Sequence, residues 1–110
     1  KDAVIAEIVA NLLENAFKYS QKNNSIGLYL DNKGLYVWDS GRPIPEEDRE
    51  KIFMKGFRGE DIKASGRGFG LALARQLAED IQCELILIIS PARINSSLPK
   101  KGNVFFLKLP

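Results

Sequence analysis

Apolar residues at Ile5, Ile8, Val9, Leu12, Ala16 and Phe17 recur at the three- and four-residue spacing of a helix, with no proline or glycine between them. The pattern predicts one amphipathic helix over residues 2–19, about five turns long, with this stripe in the core. The polar, turn-rich SQKNNS that follows ends it. Residues 26–30 and 35–38 are short runs of apolar, aromatic and β-branched side chains. Asp-Asn-Lys-Gly joins them, so they read as an antiparallel hairpin with Gly34 available for a positive φ. Beyond Asp39, Gly41, Pro43 and Pro45 prevent further regular pairing. Pro45 with Glu46, Glu47 and Asp48 marks the start of a short helix ending by Phe53, with acids at its positive dipole end.

Residues 54–67 turn to Gly, Lys, Arg, Asp and Ser, the composition of an exposed loop, here expected to act as a lid. A second helix is expected over 71–80, packing through Leu73, Leu77 and the alanines. The unbroken aliphatic run at 85–89 predicts a strand at the centre of a helix-covered sheet, and 104–109 alternates as a last strand after a loop. Together these elements give an α/β (α+β) two-layer sandwich with a mostly antiparallel sheet and its helices on one face.

With 110 residues the chain is expected to be one domain around a single core. A net charge of +2 without a basic run gives no charged face for nucleic acid, and no direct membrane contact is expected. The lone Cys83 lies among apolar residues and reads as a core position, which suits a reducing, cytoplasmic compartment. No run is long enough to span a bilayer, and the chain begins almost inside its first helix, as a piece of a longer protein would.

Two features carry candidate chemistry. Asn11, Asn15 and Lys18 fall at i, i+4 and i+7, on one line opposite the apolar stripe. Asparagine is a mediocre helix former, so two of them in mid-helix need a reason. Their amide oxygens suit a magnesium shell completed by water and phosphate, with the lysine meeting a phosphate as a point charge. Capping of a neighbouring loop and a solvated lysine would also account for them. The second feature is Gly66, Gly68 and Gly70, at alternate positions before a helix. Such a turn exposes backbone N–H groups where the helix dipole favours an anion. It matches neither the P-loop nor the dinucleotide-binding pattern, and alone it would equally serve as a structural cap.

In order, NLLENAFKYS, DSGRPIP, IFMKGFRG and GRGFGLALAR resemble the N, G1, F and G2 boxes of the ATP-binding domain of sensor histidine kinases. That superfamily also holds DNA gyrase, the HSP90 chaperones and the mismatch-repair MutL ATPases. The closing GNVFFLKLP resembles the family's last strand, so the likeness covers nearly the whole chain. The resemblance implies ATP and Mg2+ as cofactors, with Asn15 as the metal ligand and Asn11 supporting the metal or the phosphates. It implies Lys18 and Tyr19 on the phosphate chain, and Asp39 accepting a hydrogen bond from the adenine amino group beside Gly41. Ile44, Phe57, Phe69 and Leu71 would lie beside the nucleotide, and Gly66, Gly68 and Gly70 beside the phosphates. Phe53 and Phe57 match the anchor of the lid, Phe53 being a core residue as well. Lys55, Arg58 and Arg67 are cations that would meet the γ-phosphate, Arg58 in a catalytic role.

Hydrolysing relatives carry a glutamate where this chain has Asn11, which argues for transfer over hydrolysis. The chain has no histidine. The acceptor is therefore expected on the protein's own dimerisation domain, with a response regulator receiving the phosphoryl group later and the domain on the cytoplasmic side of a soluble or membrane-bound sensor. One departure stands out. Pro43 occupies the place of the second G1 glycine, fixing φ and removing a donor. It motivates an alternative, a degenerate module of the same fold that serves protein interaction.

Overall fold

The apolar stripe of the first helix decides how the layers meet. In the computed structural model, which describes residues 1–19, 21, 23–56 and 70–110, helix α1 is Asp2–Tyr19. Ile8, Leu12 and Ala16 form its buried centre line. Strands β1 (Ile26–Leu30) and β2 (Gly34–Asp39) make the expected hairpin. Helix α2 (Gly70–Asp80), β3 (Glu84–Ile89) and β4 (Asn103–Lys108) complete the chain. The described sheet has the order β1-β2-β4-β3, with all three pairings antiparallel. Both helices pack on one face, and Val37, Leu85, Phe105 and Leu107 of the sheet meet Ile8, Leu12, Leu71, Ala74 and Ala78 in the main core. Cys83 is buried there, as its apolar neighbours suggested.

Several expectations are corrected. Phe17 is not a core residue but 74% exposed. The apolar arc of α1 is wider than the sheet beneath it. Ile5, Val9 and Leu13 sit half-buried on its flank, beside an open concavity of about 460 Å3 that Leu35 also lines, and Phe17 lies past the covered part. In α2 the packing face is Leu71, Ala74 and Ala78, while Leu73 is exposed. The segment after Pro45 forms two 3-10 turns, Glu46–Asp48 and Lys51–Phe53, closed by i to i+3 bonds such as Asp48 N–H to the Pro45 carbonyl. Gly34 does not use a positive φ; a Cβ there would collide with the Leu107 carbonyl of the neighbouring strand.

The aliphatic strand β3 lies at an edge, and β4 takes the centre. The unbroken apolar run of β3 arises because both sheet faces are covered. On the outer face Tyr36, Val104 and Phe106 form a second cluster, joined by Tyr29, Trp38, Ile86, Ile88 and, from the 90–102 loop, Ile94. Tyr36 and Phe106 stack with centroids 4.4 Å apart, and Asn95 donates to the Tyr29 hydroxyl at 3.4 Å. At the hairpin, the Tyr36 hydroxyl donates to Asp31 Oδ2 at 2.9 Å, while Asp31 Oδ1 accepts from the Lys33 N–H. Burial, and then the Asp31 hydrogen bond and charge, push the Tyr36 phenol up to about 12. Among the described residues no helix is long and apolar enough to cross a membrane.

Candidate functional site

Helix α1 offers its polar line beside the core. Asn11 and Asn15 are both partly buried. The Nδ2 atom of Asn11 is fully buried without a hydrogen-bond partner among the described residues. Leaving such a donor unsatisfied costs about 1–3 kcal/mol, so a helix that keeps it there has use for an acceptor at that point. Neutral amide oxygens at Asn11 and Asn15 are hard ligands of the kind magnesium takes alongside water and phosphate, so the donor set fits that ion. Lys18 Nζ is held by Glu14 Oε1 at 3.0 Å, an exposed i, i+4 pair. A phosphate would have to compete with that carboxylate, which a surface pair allows at small cost. For Tyr19 only the backbone, in the last turn of α1, is described.

At the end of β2 a second set of residues converges. Asp39 Oδ1 accepts from the Gly41 N–H at 2.8 Å and from Asn103 Nδ2 at 3.3 Å. Desolvation raises the Asp39 pKa above the usual 3.8, opposed by hydrogen bonds from Gly41 and from the side chain and backbone of Asn103. Gly41 is buried, and a Cβ there would stand 3.1 Å from both Asn24 Nδ2 and Asp39 Oδ1. Its bare backbone lets the turn fold back onto the carboxylate. Ile44 packs its side chain against the main core and donates its N–H to Asn103 Oδ1 at 2.9 Å.

Asn103 is the residue that reading the sequence missed. It begins β4 and reaches the G1 turn from about sixty positions away along the chain. The available signal was an Asn after Gly at the head of an otherwise apolar strand. Gly102, just before it, has φ +141°, and a Cβ there would collide with the Asp39 carbonyl oxygen. The floor under Asp39 and Ser40 is therefore built by β4.

The structure thus groups Asp39, Gly41 and Ile44 through Asn103, and sets Asn11, Asn15 and Lys18 along α1. Leu71 lies at the start of α2 with its side chain in the core, and Gly70 before it is exposed. Phe53 is core, edge-on to Phe105 at 6.0 Å, with the Arg75 guanidinium 4.0 Å over its ring. Lys55 is exposed. Phe57, Arg58, Gly66, Arg67, Gly68 and Phe69 lie outside the described residues.

A mid-helix asparagine line and a half-buried carboxylate at a strand end are groups that a purine nucleotide with its metal could use. Residues 2–110 match the family described as histidine kinase-, DNA gyrase B- and HSP90-like ATPase, and the chain belongs to that family. ATP is accordingly its ligand class. Among individual relatives, sensor histidine kinase Hik2 of Thermosynechococcus vestitus is 43% identical over 117 residues, covering 100% of this chain and 29% of that protein. The swarming motility regulation sensor protein RssA of Serratia marcescens is 34% identical, over 98% of this chain and 22% of its own. The chain thus spans less than a third of either relative. Among solved structures, the mycobacterial sensor histidine kinase MprB superposes with a TM-score of 0.78 at 27% identity, covering 100% of this chain and 74% of that one. The catalytic domain of histidine kinase ThkA, in a nucleotide-free form, gives 0.74 at 28% identity, covering 100% and 69%. The two-layer architecture is that of histidine kinase catalytic domains.

Proposed function

We propose that the chain is the ATP-binding catalytic domain of a two-component sensor histidine kinase, transferring the γ-phosphate of ATP to a histidine on the protein's own dimerisation domain. The observation that carries this reading is the half-buried Asp39 carboxylate, held by Gly41 and Asn103 in a chain of this family. A carboxylate there accepts from the adenine amino group and disfavours guanine, which presents a carbonyl at the same position. Asn15 would hold Mg2+ with Asn11 beside it, and the ion would draw charge from the phosphates. Lys18 and Tyr19 would meet the phosphate chain, joined by Gly66, Gly68, Gly70 and the cations Arg58 and Arg67. Phosphoryl transfer asks the protein for positioning and charge more than for covalent chemistry. Asn11, an amide, cannot serve as the general base that activates water, which favours transfer over hydrolysis. With no histidine in this chain, the acceptor lies elsewhere, and a response regulator would take the phosphoryl group from it in the cytoplasm.

Calorimetric titration with ADP and a non-hydrolysable ATP analogue, with and without magnesium, tests the reading. Magnesium-dependent binding is expected in the wild type, with the magnesium dependence lost in Asn15→Ala. An Asn15→Ala protein that binds with undiminished magnesium dependence would refute the metal assignment. A folded wild type that gives no heat would refute the function.

A further inference from the structure

The ATP reading leaves one buried polar side chain without a role. Asn103 is 5% exposed and is the buried polar residue among those described. Its amide is fully used. Oδ1 accepts from the Ile44 N–H at 2.9 Å, and Nδ2 donates to the Arg42 carbonyl at 3.0 Å and to Asp39 Oδ1 at 3.3 Å. The two backbone partners stand on either side of Pro43, which has a fixed φ and no N–H of its own. One side chain therefore satisfies the carbonyl before the proline and the N–H after it, as a paired strand would, while its third bond reaches the carboxylate. A loop from which Pro43 removes a donor is rebuilt from β4.

We propose that Asn103 is the positioning residue of base recognition: by fixing the Pro43 loop and the Asp39 carboxylate together, it sets the preference for a 6-aminopurine nucleotide over a 6-oxopurine one. The proposal rests on the reading of Asp39 as the acceptor of the adenine amino group. An ionised carboxylate only accepts, which suits an amine. A protonated one also donates, which suits a 6-oxo group. Burial favours the protonated form, and the Nδ2 donor of Asn103 favours the ionised one. The groups acting on the carboxyl are Gly41 and Asn103, with no charged side chain among the described residues contributing.

Asn103→Asp tests this with nearly unchanged shape. It keeps an acceptor for the Ile44 N–H and replaces the donor facing Asp39 and Arg42 by an oxygen. Binding of ATP and ITP to the 110-residue chain is measured by calorimetry between pH 5.5 and 8, with circular dichroism confirming the fold at each pH. The wild type is expected to prefer ATP across this range. In Asn103→Asp, the ATP-to-ITP preference should fall about tenfold, the equivalent of one lost hydrogen bond to a charged group. The loss should be largest at low pH, where a proton shared by the two carboxyls lets Asp39 donate to a 6-oxo group, and should shrink as pH rises and that proton is removed. Asn103→Ser, which keeps a hydroxyl donor, should retain more of the preference than the aspartate variant. A folded Asn103→Asp that keeps the wild-type preference at pH 5.5, or loses ATP and ITP affinity by one common factor, overturns the proposal while the Asp39 reading stands. A wild type that binds ATP and ITP equally overturns the Asp39 reading, and this proposal with it.

Discussion

Replacing Asp39 by Asn should weaken nucleotide binding without weakening the fold, and the geometry says why the two separate. The asparagine can keep an oxygen where Asp39 Oδ1 accepts from Gly41 at 2.8 Å and from Asn103 Nδ2 at 3.3 Å, so those two bonds need not be lost. What disappears is a charge that desolvation already disfavours, as the raised pKa records. A carboxyl whose pKa is higher folded than unfolded is held protonated more tightly in the native state. Its ionised form therefore subtracts from stability, by nothing well below pH 3.8 and by the full amount once the pH exceeds the folded value. At pH 7 the Asn variant is freed of that cost, so its urea midpoint should match or exceed the wild-type value. Affinity should move the other way. Loss of a hydrogen bond to a charged acceptor is worth about 1.5–3 kcal/mol, or roughly 10- to 150-fold in Kd for ADP and ATP. Paired calorimetric titrations and urea denaturations at one pH read both quantities. An Asp39→Asn protein with wild-type affinity would refute the assignment of Asp39 to adenine. One that lost affinity and several kcal/mol of stability together would show that the carboxylate serves the turn and not the base.

Two further substitutions test the frame around the site. Gly102→Ala places a Cβ at φ +141° against the Asp39 carbonyl, and should lower stability by at least about 2 kcal/mol in urea denaturation; an unchanged midpoint would mean that β4 does not press on the G1 turn. Tyr36→Phe tests the outer face through pH. With the phenol raised from 10.0 to about 12, the stability it contributes is complete below pH 10 and is lost as pH climbs towards 12. The wild type should therefore show a fall in melting temperature over that interval that is shallower in Tyr36→Phe, and parallel curves would exclude the Asp31 bond as its source.

What could be read from the chain was the local part. The period of Ile8, Leu12 and Ala16 set α1 to the residue, and the paired runs around Asp31 and Gly34 gave the hairpin. Positions whose state depends on distant partners were not legible. Phe17 continues the apolar period but has no sheet beneath it, because a helical pattern reports the width of the apolar arc and not the width of what covers it. The aliphatic β3 reads as central because burial on both faces and a central place leave the same signature. Its second cover is the 90–102 loop, whose Ile94 gives little warning amid Ser, Asn and Pro. At the candidate site, Asp39 and Gly41 were visible as a turn. Asn103 was not, since nothing near it along the chain distinguishes a strand's first polar residue from one that braces a turn across the sheet.

The place of β4 bears on how the molecule comes into being on the ribosome. The strand that separates β2 from β3 is the last of the four to be synthesised, so the earlier hairpin and the aliphatic strand emerge with no common neighbour to register against. Sheet closure waits for contacts of long sequence separation, which fold slowly. Because Gly102 and Asn103 open that same strand, the turn that carries Asp39 gains its support only at that step. A nascent chain can pair its hairpin early, but it acquires the Asp39–Asn103 corner only together with the finished sheet.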